Sequence, residues 1–157
     1  WSSIPLGGSS YTISSAGCLV TSISMLIAKS GVPTVVDGQF NPGTFVQKMN
    51  SVGGIDGNGN FQWYKVSEAA PNFQFVSKVY VSGKTREEKL KVINDLVAQG
   101  YYVVVEVMGN TGQHWVAIDS VNGENIFMYD PATKYTDLWS RYNYNNTSAV
   151  AYFKVNG

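Results

Sequence analysis

The sequence is poor in the residues that staple, ligate or carry charge. Among its 157 residues is a single cysteine, which excludes an internal disulfide and a cysteine-based zinc site. A single histidine excludes a multi-histidine metal centre, so no metal or other cofactor is expected. Charged residues make up 14% of the chain, and eleven basic residues offset eleven acidic ones. That balance gives no electrostatic basis for binding nucleic acid or an anionic membrane. No apolar run approaches the roughly eighteen residues of a membrane span. No signal peptide, internal repeat or internal linker is visible.

What remains is apolar and aromatic. Hydrophobic residues make up 44% and aromatic ones 13%, which excludes wholesale disorder. The length suits one domain, and a chain of this mass buries roughly 69% of its unfolded surface. We therefore expect a single domain over residues 1–157. Because it starts at Trp1 rather than Met, we read it as excised from a longer protein. Neutral charge and a surface built from Ser, Asn, Gly and Tyr suit a protein working outside a cell or on a virion.

Hydrophobic spacing divides the chain. Residues 1–15 read as an ordered loop or arm. From Cys18 to Ser30, the residues Leu19, Val20, Ile23, Leu26 and Ile27 form one helical stripe, with Ser14 or Ser15 as cap and Gly31 as stop. Asn41-Pro42 opens a second helix with Phe45, Val46 and Met49 on its apolar side. Residues 53–60 read as a loop, 61–73 as mixed with one helical turn before Pro71, and Val76–Val81 as a short strand. Thr85-Arg-Glu-Glu88 is a capping box that starts a helix closed by Gly100. The period then changes. Tyr101–Met108, His114–Val121, Ile126–Asp130 and Ala149–Val155 are β-branched and aromatic runs between turn residues. Helices early and strands late predict an α+β fold with an antiparallel sheet packed on helices.

The candidate chemistry lies at element ends. Cys18 falls in the first turn of its helix, where unpaired N–H groups and the helix dipole favour thiolate. Gly17 lets a substrate carbonyl approach the backbone. A lone cysteine is more often a packing residue, so position alone does not settle its role. His114 starts a strand after the loop Gly109-Asn-Thr-Gly-Gln113, a rim position suited to a general base. Asp130 ends the next strand. A three-residue loop, Asn122-Gly-Glu124, pairs Val121 with Asn125 and puts His114, Val116, Ile118, Ile126, Met128 and Asp130 on one face. His114 and Asp130 then become diagonal neighbours. A two-residue Asn-Gly turn would place them on opposite faces. Asp119 is the competing carboxylate, but faces away from His114 in a regular strand.

These groups form a reaction scheme. His114 takes the Cys18 proton, Asp130 orients the imidazole, and Cys18 attacks a carbonyl to form a thioester that water releases. The Cys18 backbone N–H and a side-chain donor from Ser9-Ser-Tyr-Thr12 would hold the oxyanion. Asp56-Gly-Asn-Gly-Asn60 begins like a calcium loop. Phe61 and Ser67 stand where glycine and glutamate are required, so that match fails. Of the aromatics, Trp115 and Trp63 are the candidates to flank a substrate cleft.

The run Thr12-Ile-Ser-Ser-Ala-Gly-Cys-Leu-Val-Thr-Ser-Ile-Ser-Met25, followed by His114-Trp-Val-Ala-Ile-Asp119 and Tyr129-Asp-Pro131, resembles papain-like cysteine peptidases. The similar branch is that of bacteriocin-processing peptidases and their relatives in bacterial and phage cell-wall hydrolases. Phe40–Val46 and Val66–Phe73 are similar to stretches of phage lysin catalytic domains. The resemblance spans roughly residues 10–132. It implies a papain-like fold with Cys18 as nucleophile, His114 as base and Asp130 as orienting acid. It implies cleavage of peptidoglycan peptides at a cell wall, with wall-binding or second lytic domains elsewhere in the chain. Thr12 stands where the family has the oxyanion glutamine. Leu19-Val20 departs from the small pair of the processing peptidases. Two other functions fit the same residues: a degenerate cell-wall peptide- or glycan-binding module, and an acyl transferase that passes the thioester to an amine.

Overall fold

The computed structural model describes residues 18–55, 61–109, 112–129 and 137–156. The chain divides into two compact units. One takes Trp1–Phe75 and Lys154–Gly157, the other Val76–Phe153.

In the first unit, helix α1 runs Cys18–Ser30 and helix α2 runs Pro42–Ser51. The expected stripe holds: Val20, Ile23, Leu26 and Ile27 are buried. Phe45, Val46 and Met49 bury the apolar side of α2, which packs on α1. Asn41 and Thr44 make a reciprocal cap. The Asn41 Oδ1 accepts from the Thr44 N–H, and the Thr44 Oγ1 accepts from the Asn41 N–H, both at 2.9 Å. The mixed region holds a 3-10 turn at Trp63–Lys65 followed by the short helix α3, Val66–Ala69.

Strands β1 (Phe73–Tyr80), β2 (Tyr102–Gly109), β3 (Gly112–Asn122), β4 (Asn125–Tyr129) and β5 (Ala149–Val155) form one sheet in the order β1-β5-β2-β3-β4. The pairs β2–β3, β2–β5 and β3–β4 are antiparallel. With helices beside this sheet, the class is α+β as expected. Strand β1 begins at Phe73, three residues before the expected Val76, because the Pro71-Asn72 turn delivers the chain directly into the sheet.

Helix α4 (Arg86–Ala98) lies in the second unit and opens on the expected box. The Glu88 N–H donates to Thr85 Oγ1 at 3.2 Å, and the Thr85 N–H donates to Glu88 Oε1 at 3.0 Å. Its Ile93 joins Val103, Val105, Val107, Val116, Ile118, Ile126, Met128 and Val150 in one core. The short helix α5 (Leu138–Arg141) adds Leu138 to this core, and a 3-10 turn follows at Tyr144–Asn146.

The β3–β4 hairpin corrects the expected register. Asn122 pairs with Asn125 and Val121 with Ile126, so the loop has two residues, Gly123 and Glu124. Gly123 has φ +63° and Glu124 does not, as in a type II′ turn whose twist matches the strands. A bulge between Ile118 and Ser120 then adds the extra residue that the turn lacks. Beyond it Ile118 pairs with Met128, so Val116, Ile118, Ile126 and Met128 still share one buried face. The core face was read correctly, but a bulge supplies its parity, not the turn.

Candidate active site

Cys18 is the first residue of α1. Its backbone therefore stands in the first turn, among amides that lack intrahelical acceptors and at the positive end of the dipole. The helix is held by its stripe of buried residues, Val20, Ile23, Leu26 and Ile27. Gly17 and Thr12, expected beside the nucleophile, lie outside the described residues.

His114 is the third residue of β3 and pairs with Val107 of β2. Cross-strand partners share a face, so His114 continues the row of Val116 and Ile118 toward the end of the hairpin. It is half-buried. Its ring centroid lies 5.8 Å from that of Tyr142, at 45°. Tyr142 belongs to the core and is 4% exposed, so one side of the imidazole rests on a fixed aromatic wall. Such a half-buried ring, held by packing, suits a base that must keep one orientation.

Asp130 lies outside the described residues, directly after Tyr129, which pairs with Ala117. The competing acid, Asp119, sits at the bulge, where the Ser120 Oγ donates to its Oδ2 at 3.3 Å. The strand is regular from His114 to Ile118, but Asp119 is the extra residue of the bulge, so the alternation that set it aside does not extend to it.

Trp115 is 7% exposed, and the Lys78 Nζ lies 5.6 Å from its ring centre. Trp63 is half-buried in an aromatic cluster, 5.4 Å from Phe61 and 5.2 Å from Phe75, beside an exposed Tyr64. These two tryptophans belong to different units.

Sequence reasoning missed three residues. Tyr142, the wall behind His114, lies in a stretch with no periodicity. Glu106, opposite Trp115, is a buried acid whose Oε1 accepts from the Ser148 Oγ at 2.8 Å. Lys89 is a buried base on α4 whose Nζ donates to the Tyr144 carbonyl at 2.8 Å. A charged residue at an apolar position of the strand or helix pattern was the available signal for the last two. Among the described residues, no group of three or more His, Cys, Asp or Glu could hold a metal ion. No helix among them is long and apolar enough to cross a membrane.

No protein-family model matches this chain, and no curated protein does. Among solved structures it is similar to one described as a "putative C39-like peptidase" from Bacillus anthracis. That similarity has 18% sequence identity, covers 90% of each chain and has a TM-score of 0.48.

Proposed function

We propose that this protein is a papain-like cysteine hydrolase that cleaves an amide bond, with peptidoglycan peptides at a cell wall as its substrate. The observation that carries this reading is that the chain's single cysteine is the residue on which α1 opens. A nucleophile gains from that position, because unpaired amides and the helix dipole favour its thiolate. The half-buried His114, seated on Tyr142, supports the same reading. The peptidoglycan substrate rests on the motif resemblance alone.

In this mechanism His114 accepts the Cys18 Sγ proton, and Asp130 holds the resulting imidazolium. The thiolate adds to the carbonyl carbon, and the oxyanion is held by the Cys18 N–H and Thr12. Collapse breaks the C–N bond, His114 returns the proton to the leaving amine, and a thioester remains. Water, deprotonated by His114, then releases the acid and restores the thiol.

The test is the pH dependence of iodoacetamide alkylation at Cys18, in the wild type and in His114→Ala. We expect an apparent thiol pKa well below the free value of about 8.5, rising when the imidazole is removed. A thiol that titrates as a free one in both proteins would overturn the mechanism. Cys18→Ala should abolish hydrolysis of cell-wall peptides with little change in stability.

Thr12 in the place of glutamine favours a second reading, a degenerate hydrolase that binds cell-wall peptide or glycan without turnover. Binding of such fragments without cleavage, equal in wild type and Cys18→Ala, would select it.

A further inference from the structure

The second unit contains a cleft that the hydrolase chemistry does not use. It has a volume of about 370 Å³ and is lined by Arg86, Asp137, Trp139, Ser140, Asn143 and Tyr144. The cleft is open to solvent, which suits one ring of a longer chain better than an enclosed ligand. We propose that it binds a pyranose unit of a neutral glycan.

The walls are fixed before any ligand arrives. The Trp139 Nε1–H donates to Thr147 Oγ1 at 3.1 Å, so the indole is held in place and its N–H is engaged within the protein. The Tyr144 backbone is tied by the Lys89 Nζ. The Tyr144 ring meets Trp139 edge-on, with centroids 6.4 Å apart. The Arg86 guanidinium lies 5.0 Å from the centre of the indole. Stacking uses the face of the guanidinium and leaves its edge of N–H donors. Such preorganisation lowers the entropy lost on binding.

The polar groups are mixed in sign. Asp137 Oδ2 accepts from the Ser140 Oγ at 2.6 Å, which leaves Oδ1 as an acceptor. Asn143 Oδ1 accepts from the Asn145 N–H at 2.9 Å, which leaves its amide N–H groups as donors. Arg86 also has Glu124 at 3.7 Å, so the cation is offset by two nearby carboxylates. A phosphate or carboxylate ligand would therefore find little net attraction. A sugar ring suits the cleft better. Its hydroxyls both donate and accept, and its C–H face suits the ring of Tyr144, since the Arg86 guanidinium already covers the Trp139 indole. The proposal does not depend on the cysteine mechanism, and Cys18→Ala should bind alike.

The test is titration with chitotriose and with cellotriose, followed through the indole N–H signals of the four tryptophans in a nitrogen–proton correlation spectrum. The Trp139 signal is identified by its loss in Trp139→Phe. We expect one of the two sugars to shift that signal saturably. Asp137→Asn and Asn143→Asp should each weaken binding about tenfold, as for one lost hydrogen bond to the ligand. Asn143→Asp keeps the Oδ1 that accepts from the Asn145 N–H and removes only the amide donors, so this variant keeps the turn even where Asp137→Asn loosens α5. A Trp139 signal that neither sugar moves would overturn the proposal. So would a shift that the Asn143 variant leaves unchanged, or a shift produced only by a cell-wall peptide.

Discussion

On one face of the sheet stand Val103, Val105, Val107, Val116, Ile118, Ile126, Met128 and Val150, covered by Ile93 of α4 and Leu138 of α5. On the other stand Val104, Glu106, Trp115, Ala117, Ala149, Ala151 and Phe153. Both sets are buried, and every residue named is at most 8% exposed. Yet the core of the first face is aliphatic, branched but for Met128, while the second combines three alanines with a large indole and an acid. The first face is filled by its own side chains and those of α4 and α5. The second keeps three small residues buried, which implies close approach by whatever covers them. The same strands, with the same burial, thus answer to different rules: loss of volume should harm the first face, and gain of volume the second.

The sharpest test of that difference is Ile118→Ala. It removes three carbons from the filled face, where Val105, Val116 and Met128 cannot collapse without moving strands. We expect a loss of about 2–5 kcal/mol in urea unfolding, with an unchanged denaturant slope. Next comes Ala151→Leu on the other face, with an expected loss of about 1–3 kcal/mol from overpacking. Were Ala151→Leu neutral, the second face would have spare room, and the contrast between the faces would fail.

The same contrast shows what could be read from sequence. A strand buried on both faces reads as a continuous apolar run, and Val103–Val107 with Glu106 inside it was legible as a strand on that ground. Which face held the core followed from Val116, Ile118, Ile126 and Met128, although the bulge near Asp119 was hidden. A bulge is one residue of local backbone geometry, and it leaves no mark in hydrophobic spacing. Helix α4 was legible because stripe, cap and stop agree, and α1 because stripe and stop do; its expected cap, Ser14 or Ser15, lies outside the described residues. The region from Leu138 to Asn146 was not. Its two pieces are too short for a period to repeat, and they are held by long-range contacts such as the Lys89–Tyr144 bond. For that reason the wall behind His114 escaped notice, while Cys18 and His114, at ends of strongly patterned elements, did not. Of the other expected site residues, Thr12, Gly17 and Asp130 lie outside the described structure.

Each side of the sheet also has a buried acid or base beside it. Glu106, on the small-residue face, receives the Ser148 hydroxyl. Lys89, on the helix that covers the aliphatic face, is 1% exposed, and its burial lowers its pKa from the ordinary 10.5. The folded protein therefore releases the Lys89 proton at a lower pH than the unfolded chain does. Between those two values the unfolded chain binds more protons, so stability should rise with pH across that window. Below it, the full cost of holding the ammonium away from water stands. Lys89→Met should remove this rise, leaving the alkaline arm of a urea-midpoint profile flatter than in the wild type. Its net effect at neutral pH should be the smallest of the three. The Tyr144 carbonyl keeps the Thr147 N–H at 3.1 Å when the Nζ is lost, and the methionine stem fills the same channel. A midpoint profile with the same alkaline rise in both proteins would show that the rise comes from other groups and that the buried lysine is already relieved by its carbonyl partner.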